Sequence, residues 1–324
     1  MFIIIKIIII VENKNIVVVG SYLVALVMNA KRIPKIGETV IAENFRKVHG
    51  GKGSNQAIQA ARLGVSTSFI GRVGNDSFGD AFIQLCRDEQ INADFVVKSN
   101  NLPTGVGFII CDESGKNIIT IDIAALNEFG EDDIDAALGI ISENSIVLLQ
   151  LEIPLNTALY AAKKAKGKGA TVILNPAPAQ DLSKYDLSMI DFLTPNKTEA
   201  ELCLGLTPDI GFNCEETARK LLGLGCANVV ITLGEKGSFL CNKVTAVTVP
   251  SFKMQEVVDT VGAGDSFNAG LAVALSEGKK IEDALKFANA VGGLSVTKLD
   301  TISSYHFRNQ VEAFLTQKNH ASIC

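Results

Sequence analysis

The chain has 324 residues and a formal net charge of −5, with 30 Lys and Arg against 35 Asp and Glu. Because no long basic block interrupts this balance, the sequence gives no sign of a nucleic-acid partner or of binding to an anionic membrane surface. The hydrophobic fraction of 47% excludes intrinsic disorder and is enough for a sizeable buried core. A chain of this length suits one large α/β domain or two ordinary ones.

The chain begins with the strongly apolar segment MFIIIKIIIIV over residues 1–11. This segment is too short to cross a bilayer as a helix, has no basic region, and is not followed by a small-residue cleavage site. We interpret residues 1–14 as an apolar N-terminal extension, either β-rich or the result of a start codon assigned too far upstream. A membrane anchor is the less favoured alternative.

Downstream, short apolar runs alternate with amphipathic helices. In chain order the sequence predicts strand 15–20, helix 54–63, strand 67–71, helix 78–89, strands 93–97 and 145–149, helix 156–166, strands 171–174 and 192–193, helices 197–204 and 214–224, and strand 228–232. This alternation is typical of a three-layer, doubly wound α/β fold, in which a mostly parallel sheet is covered by helices on both faces. Two extended, hairpin-forming segments at about 24–48 and 104–123 interrupt the pattern. They predict a small sheet that covers the opening of a binding site.

Nothing in the composition separates two independent domains. The sequence contains no internal repeat or low-complexity tract, so we expect residues 15–315 to form one domain, followed by a C-terminal tail at 316–324. The seven cysteines are scattered, without CxxC pairs or a histidine at metal-ligand spacing. Free thiols in a reducing compartment explain them most simply, which favours a cytoplasmic location.

A first glycine-rich stretch, GGKGSNQA at 50–57, directly precedes a predicted helix. It is not a phosphate loop of the GxxxxGK[ST] type, because the glycine spacing is wrong and another glycine follows the lysine. Gly51 and Gly53 would admit a polyhydroxylated ligand close to the backbone, and Asn55 can both donate to and accept from hydroxyls. A helix-entry turn capped by Ser54 is the alternative, but it leaves three glycines and a lysine unexplained.

A second glycine-rich stretch, DTVGAGDSFN at 259–268, stands at the start of another apolar-periodic helix. Gly262, Ala263 and Gly264 have almost no side chains, so their N–H groups can converge on one point at the positive end of the helix dipole. Such a turn can hold a developing negative charge, and the carboxylate of Asp265 at its edge could act as a base. The simpler interpretation is that Asp265 is only the N-cap of the helix.

Eight stretches of the chain follow one another in a recognisable order: PKIGETV (34–40), GGKGSNQ (50–56), GRVGND (71–76), QLEIP (150–154), NPAPA (175–179), TPNKTE (194–199), TLGEKG (232–237) and DTVGAGD (259–265). Together they resemble the motifs of the ribokinase family, also called the PfkB carbohydrate kinases, over essentially the whole chain from residue 15 to about residue 315. The resemblance implies ATP-dependent phosphorylation of a sugar's primary hydroxyl, and a small β-sheet lid that commonly makes a homodimer contact. The GGKGxNQ and NPAPA forms favour a pentose, with D-ribose as the first candidate.

The resemblance assigns the chemistry to the second glycine-rich stretch. It implies that Asp265 is the general base that takes the proton from the primary hydroxyl. Gly262, Ala263 and Gly264 would form the anion hole for the transferred γ-phosphoryl group. Phosphoryl transfer needs positioning and charge stabilisation more than covalent chemistry, which agrees with this assignment.

The resemblance also implies binding roles. The implied sugar contacts are Gly51, Lys52, Gly53, Asn55 and Glu152, together with Asp265. The implied ATP contacts are Asn196, Thr232, Gly234, Gly237, Gly264 and Asn289. Glu199 would organise Mg²⁺ through water, and Asp259 with the Val261 carbonyl would form part of a monovalent-cation site for K⁺. Simpler interpretations are also possible. Glu152 could be an exposed loop acid, and Asn196 and Glu199 could form a helix-capping box.

The chain departs from the family pattern at three places, of which the first two reduce the polar groups that face the sugar and the third affects the cation loop. Leu23 and Ala25 stand where the family usually has Asn and Asp, and the family's Gly-Ala-Asn appears as AAL at 124–126. The usual Thr-Arg-x-Gly-Ala is TKLDT at 297–301, without the glycine that helps to shape the cation loop. A site that loses hydrogen-bond partners for a hydroxyl binds that hydroxyl less well.

These departures leave the exact substrate open. We predict that the protein uses ribose poorly for its family, and that it either discriminates little between ribose and 2-deoxyribose or prefers a substrate with an apolar group there, such as a nucleoside. A strongly ribose-selective protein would mean that Asp122 or Asn29 has taken over the lost contacts. A weakly active paralogue that binds sugar or nucleotide in a regulatory role is the alternative of a different class. The retained Asp265 and its glycine turn favour the enzyme.

Overall fold

The protein is described by a computed structural model that covers residues 14–114, 116–208 and 211–321. The N-terminal extension expected over residues 1–14 therefore lies outside the described residues, except for its last residue. Cys324 lies outside them as well, and the other six cysteines are free thiols. In the covered ranges, we find no helix with the length and hydropathy needed to cross a membrane.

The elements of the described chain are as follows. The strands are β1 (Asn15–Val19), β2 (Leu23–Ala30), β3 (Ala42–Gly50), β4 (Thr67–Gly74), β5 (Asn92–Ser99), β6 (Val106–Asp112), β7 (Asn117–Asp122), β8 (Ser145–Leu149), β9 (Thr171–Leu174), β10 (Phe192–Leu193), β11 (Asn228–Thr232), β12 (Ser238–Asn242) and β13 (Ala246–Val249). The α-helices are α1 (Lys52–Arg62), α2 (Ser77–Asp88), α3 (Glu131–Ala137), α4 (Leu155–Gly167), α5 (Lys197–Leu202), α6 (Cys214–Leu222), α7 (Ala263–Ser276), α8 (Ile281–Ser295) and α9 (Arg308–Ala321).

The larger sheet has the strand order β13-β12-β11-β10-β9-β8-β1-β4-β5 in the described part of the chain. The strands from β5 to β11 in this order pair in parallel, whereas β12 and β13 add an antiparallel edge. Helices cover both faces of the sheet. The predicted three-layer, mostly parallel α/β fold is therefore confirmed.

The central strand β1 shows why its sequence reads as one continuous apolar run. Ile16 and Val18 belong to the apolar core on one face of the sheet, which also contains residues of α1, α7 and α8, and Val17 and Val19 belong to the core on the other face, with residues of α3, α4 and α6. All four side chains are fully buried. A parallel strand covered on both faces needs apolar residues at every position, so it loses the alternation of a half-exposed strand.

A second, smaller sheet has the strand order β3-β2-β6-β7, and we call it the lid sheet. Strand β2 pairs with β3 in antiparallel and with β6 in parallel orientation, and β7 returns antiparallel to β6. The carboxylate of Asp112 closes the β6–β7 turn by accepting hydrogen bonds from the N–H groups of Ser114 at 2.8 Å and Lys116 at 3.0 Å. Residues of the two segments expected at about 24–48 and 104–123 form this sheet.

The glycines at the start of α1 have a packing reason that the sequence did not reveal. Gly51 has a φ of 95°, and a Cβ there would lie 2.8 Å from the backbone nitrogen of Leu23. A Cβ on Gly53 would lie 2.5 Å from the nitrogen of Ser21. The alternative that Ser54 caps this helix is wrong: α1 begins at Lys52, and the Ser54 hydroxyl donates back to the carbonyls of residues 50 and 51.

At two positions where the family pattern has glycine, this chain has another residue. The backbone at both positions still adopts the positive φ that is typical of glycine. Ala124, at the return from the lid sheet, has a φ of 42°, and Asp300 has a φ of 65°. Aspartate tolerates this left-handed region better than most residues, so Asp300 can hold the shape of its loop. Alanine has no such compensation, and Ala124 is therefore a strained position.

Candidate active site

Polar side chains gather at the edge of the large sheet where its parallel strands end. Ser21 follows β1, Gln150 and Glu152 follow β8, and Asn175 follows β9. The N-terminal ends of α1 and α7 also point towards this edge, with the lid sheet beside it. Ligands of open parallel sheets bind at the carboxyl ends of the strands, and helix N-termini favour anions.

Asp265 lies at the centre of this arrangement as the third residue of α7, and only 5% of its surface is exposed. Its Oδ2 accepts a hydrogen bond from Asn55 Nδ2 at 2.9 Å, and its Oδ1 accepts one from Gln56 Nε2 at 3.0 Å. The interpretation of Asp265 as an N-cap alone is wrong, because Gly262 occupies that position with a φ of 79°. The carboxylate is instead oriented by side chains from α1.

Glu152 is also buried, with 8% of its surface exposed, so the alternative of an exposed loop acid is wrong. Its Oε2 accepts hydrogen bonds from the Ser21 hydroxyl at 2.5 Å and from the backbone N–H of Lys52 at 2.8 Å. Burial raises the pKa of Glu152, although the nearby Lys52 ammonium and the hydrogen bond from Ser21 offset part of this effect. These contacts join the end of β8 to the start of α1.

Lys52 is the positive charge among these acids. Burial lowers the pKa of its ammonium group, but the carboxylates of Asp265, Glu152 and Glu199 outweigh this effect and raise it overall. Lys52 is therefore charged at neutral pH. A cation at this point can meet a negatively charged group that approaches Asp265.

A cleft of about 960 Å³ opens beside the N-terminus of α7. The residues expected to contact the nucleotide all line it: Asn196, Thr232, Gly234, Gly237, Gly264 and Asn289. Ala263 of the expected anion hole lines it too, whereas Gly262 caps the helix behind it. Met254 and Phe267 supply apolar surface and Lys253 a positive charge, which suits a ligand with an aromatic base and a phosphate chain.

Asn289 and Asn196 also have structural roles at the cleft. The Asn289 amide donates to the carbonyl of Val249 at 3.0 Å and so holds the chain after β13, which continues into the cleft wall. Asn196 and Glu199 form a reciprocal capping box at the start of α5, as the simpler reading expected. The Glu199 carboxylate accepts from the Asn196 N–H at 2.8 Å. This capping role does not exclude a ligand at the same helix start.

The residues expected to hold cations lie at two separate places. The first place is the start of α5, where Glu199 lies and where partial burial raises the pKa of its carboxyl group. In the described ranges, His, Cys, Asp and Glu side chains nowhere form a group of three or more that could hold a metal ion. A single hard carboxylate fits an outer-shell role for Mg²⁺, which keeps its waters and binds mainly to phosphate oxygens.

The other expected cation ligands lie on the loop before α7, on either side of Thr260, which lines the cleft. The Asp259 carboxylate accepts from the N–H groups of Val261 at 2.9 Å and Asp300 at 3.2 Å. It therefore joins the two loops that the resemblance implies for the K⁺ site. A carboxylate oxygen and backbone carbonyls are suitable ligands for such a cation.

Three polar residues at the site were given no role from the sequence. Gln56, Gln150 and Asn175 form a buried hydrogen-bonded group beneath Asp265. The signal for Gln56 was its place directly after Asn55, on the buried side of α1. The signal for Gln150 and Asn175 was a polar residue directly after a buried strand.

At this site, two buried amide oxygens have no hydrogen-bond partner among the residues that the structure describes, Asn55 Oδ1 and Gln150 Oε1. The first belongs to the same amide group that holds Asp265. An unsatisfied buried acceptor costs free energy, so a hydroxyl donor on a ligand would be favoured at Asn55. This fits the expected sugar contact.

The two residues suggested as replacements for Leu23 and Ala25 do not take that position. Asp122 pairs with Val106 in the lid sheet, on the face opposite to Ala25, and its carboxylate accepts from the N–H of Ala124 at 2.9 Å. Asn29 is exposed near the far end of β2.

The chain is similar to several known proteins. The family model described as pfkB family carbohydrate kinase matches residues 13–308. The chain is 36% identical to the ribokinase of Haemophilus influenzae over 94% of this chain and 99% of that protein. It is 35% identical to the deoxyribokinase of Salmonella typhimurium over 93% of this chain and 99% of that protein. It resembles the solved structure of Arabidopsis thaliana ribokinase complexed with ribose and ATP, with a TM-score of 0.84, 34% identity, and coverage of 93% and 98%.

Proposed function

The chain belongs to the pfkB family of carbohydrate kinases, and we propose that it transfers the γ-phosphoryl group of ATP to the primary hydroxyl of a pentose, with D-ribose as the first candidate. It is a phosphotransferase with an alcohol group as acceptor. The observation that carries the proposal is the position of Asp265. Its neighbour Gly264 lines the large cleft, while its carboxylate is hydrogen-bonded to Asn55 on the expected sugar side.

The proposed reaction begins with the primary hydroxyl of the sugar donating a hydrogen bond to the Asp265 carboxylate. As the hydroxyl oxygen attacks the γ-phosphorus, its proton passes to Asp265 and the bond to the ADP oxygen breaks. The N–H groups at the start of α7 stabilise the charge on the transferred group, and the Lys52 ammonium adds a positive charge nearby. Mg²⁺ bound with ATP would neutralise phosphate charge, and Glu199 would hold it through water.

The sugar is proposed to bind over the start of α1. Glu152 presents an acceptor there, and the free Oδ1 of Asn55 can accept from a second hydroxyl. Main-chain groups at Gly51 and Gly53 are proposed to contact the sugar, while the space of their missing side chains is taken by the backbone that follows β1. The sugar's primary hydroxyl then lies towards Asp265.

A second candidate substrate is 2-deoxyribose, and the lid sheet favours it. Leu23 and Ala25 are the β2 side chains next to the sugar-binding glycines, and Ala25 is in register with Val48 and Gly107 of the neighbouring strands. Ile121 follows on β7. In the described residues this wall offers apolar side chains only, so it adds no side-chain hydrogen bond to a sugar hydroxyl. The similarity to a deoxyribokinase supports the same candidate.

The experiment that tests the proposal is an ADP-release assay with ATP, Mg²⁺ and a panel of ribose, 2-deoxyribose, other pentoses, hexoses and nucleosides. Turnover with a pentose supports the proposed function, and turnover limited to a hexose contradicts it. Nucleotide or sugar binding by calorimetry without any turnover would instead indicate the regulatory paralogue.

We also propose that the protein forms a homodimer through the lid sheet. Phe108 and Ile118 lie on the face of this sheet opposite to Ala25, with 51% and 47% of their surfaces exposed. Exposed apolar side chains on one sheet face favour a protein interface. Sedimentation analysis should show a dimer that Phe108→Glu converts to a monomer, and a monomeric wild type would contradict this proposal.

A further inference from the structure

A chain of buried carboxamides runs beneath Asp265. Gln150 Nε2 donates to Gln56 Oε1 at 2.7 Å, and Gln56 Nε2 donates both to Asp265 Oδ1 at 3.0 Å and to Asn175 Oδ1 at 3.3 Å. Asn175 Nδ2 donates in turn to the carbonyl of Thr194 at 3.2 Å. Gln56 and Gln150 are fully buried, and Asn175 is 6% exposed.

The direction of every amide in this chain follows from its last bond. A backbone carbonyl such as that of Thr194 can only accept, so Asn175 must turn its nitrogen to Thr194 and its oxygen to Gln56. Gln56 must then present its nitrogen to Asn175 and Asp265, and its oxygen faces the nitrogen of Gln150. The chain therefore allows Gln56 to act only as a donor towards the carboxylate.

We propose that Gln56 is the positioning residue that orients the Asp265 carboxylate for proton abstraction. Gln56 is fully buried beneath the carboxylate and does not line the large cleft, so it acts through Asp265 and not on a ligand. Each carboxylate oxygen has a second lone pair, and a substrate hydroxyl can still donate to Asp265. This inference rests on the proposed role of Asp265 as the base.

Charged groups from several elements surround Asp265. Glu152 after β8 and Glu199 on α5 carry like charges near it, and Lys52 at the start of α1 carries the opposite charge. Tyr305, before α9, also faces Asp265, and its hydroxyl donates to the Gly262 carbonyl at 3.2 Å. A hydrogen bond to the charged form of an acid favours that form, so the Gln56 amide adds to the effect of Lys52.

The test compares Gln56→Met with the matched variant Gln59→Met. Gln59 is also fully buried on α1, but it donates to the carbonyl of His306 at 3.0 Å and accepts from the Ser266 hydroxyl at 3.1 Å. Gln56→Met should lower kcat about tenfold to a hundredfold, leave KM for ATP within about twofold, and move the acid limb of kcat to higher pH by about one unit. Gln59→Met should lower the melting temperature while keeping the wild-type kcat and pH profile.

Equal loss of kcat in both variants, or a wild-type pH profile in Gln56→Met, would overturn the proposal. If Gln56→Met does not fold, Gln56→Glu provides the second test, because its carboxyl group can donate to Asp265 only while protonated. Its turnover should fall as pH rises through a range in which the wild type is constant, and a flat profile would count against the proposal.

A measurement without turnover separates this inference from the proposed function. Carbon NMR of aspartate-labelled protein, with Asp265→Asn for assignment, should show Asp265 ionising at higher pH in Gln56→Met than in the wild type. Equal titration in both proteins would refute the positioning role even if the wild type is an active kinase. An inactive wild type with the expected NMR difference would refute only the kinase.

Discussion

At the scale of single residues, the proposed chemistry depends most directly on the Asp265 carboxylate. Asp265→Asn removes the base while keeping the side-chain shape, so we expect turnover to fall roughly 10²–10⁴-fold. The new NH₂ group would face an amide donor from Asn55 or Gln56, which should cost about 1–3 kcal/mol of unfolding free energy. Steady-state kinetics and calorimetric titration with ATP check this result, since nucleotide affinity should persist. Near-normal turnover in this variant would remove Asp265 from the mechanism.

A second prediction for a single residue concerns Glu152 and the way in which its ionisation makes the stability of the folded protein depend on pH. Its pKa is raised in the folded protein, foremost by burial, so the folded state binds more protons than the unfolded state above the ordinary glutamate value of 4.5. Stability from this group is therefore present at low pH and is lost as pH rises through the folded pKa. Glu152→Gln keeps an oxygen acceptor for Ser21 and Lys52, and it should raise the melting temperature by about 2 °C at neutral pH. The gain should shrink towards pH 4.5 in thermal melts, and a gain that grows there would contradict this account.

At the scale of elements, the return from the lid sheet to the large sheet contains a strained alanine. Ala124 has a φ of 42°, and a left-handed conformation costs an L-residue about 1–2 kcal/mol. Ala124→Gly should therefore stabilise the protein by up to about 1 kcal/mol, after the larger entropy of glycine in the unfolded chain is subtracted. Urea denaturation measures the change. Ala125→Gly, at a fully buried neighbour, is the control and should destabilise; equal effects of the two changes would show that the backbone at Ala124 is not strained.

The elements also show where sequence reasoning succeeds and where it fails. Buried strands such as β1 were predicted well because their apolar runs come from burial on both faces. No element was predicted for 281–295, which forms the helix α8. Glycines weaken a helix in isolation, but a Cβ on Gly292 would lie 3.1 Å from the Ala263 carbonyl and one on Gly270 would lie 3.0 Å from Val291. Close packing of α7 on α8 therefore explains these glycines, and only the tertiary structure reveals it.

At the scale of the whole molecule, the expected site residues come from distant parts of the chain and meet at one edge of the sheet. Their number and order could be inferred from the motifs, because each motif follows a strand end or begins a helix. The contacts between them could not be inferred. The hydrogen bond between Asn55 and Asp265 joins residues 210 positions apart, and the Gln56 amide chain depends on how three strand ends meet α1.

The same whole-molecule view separates a polar floor from an apolar roof in the proposed sugar site. The floor contains Glu152, Lys52 and Asn55 on the large sheet and α1, whereas the roof presents Leu23 and Ala25 from the lid sheet. A hydroxyl on the roof side of the sugar would lose its water without gaining a side-chain partner. Each missing bond to a charged partner is worth roughly 1.5–3 kcal/mol, or about tenfold or more in apparent affinity.

We therefore expect the wild type to discriminate little between ribose and 2-deoxyribose, with kcat/KM values within about tenfold of each other. Leu23→Asn combined with Ala25→Asp should raise the preference for ribose by about tenfold or more, because the new side chains can bond to its hydroxyls. Leu26→Asn lies on the opposite face of β2 and should leave the ratio unchanged. Competition between the two sugars in one assay measures the ratio directly. A strongly ribose-selective wild type would contradict the apolar roof, since Asp122 lies on the opposite face, Asn29 is exposed near the far end of β2, and backbone groups would then have to bind the hydroxyls.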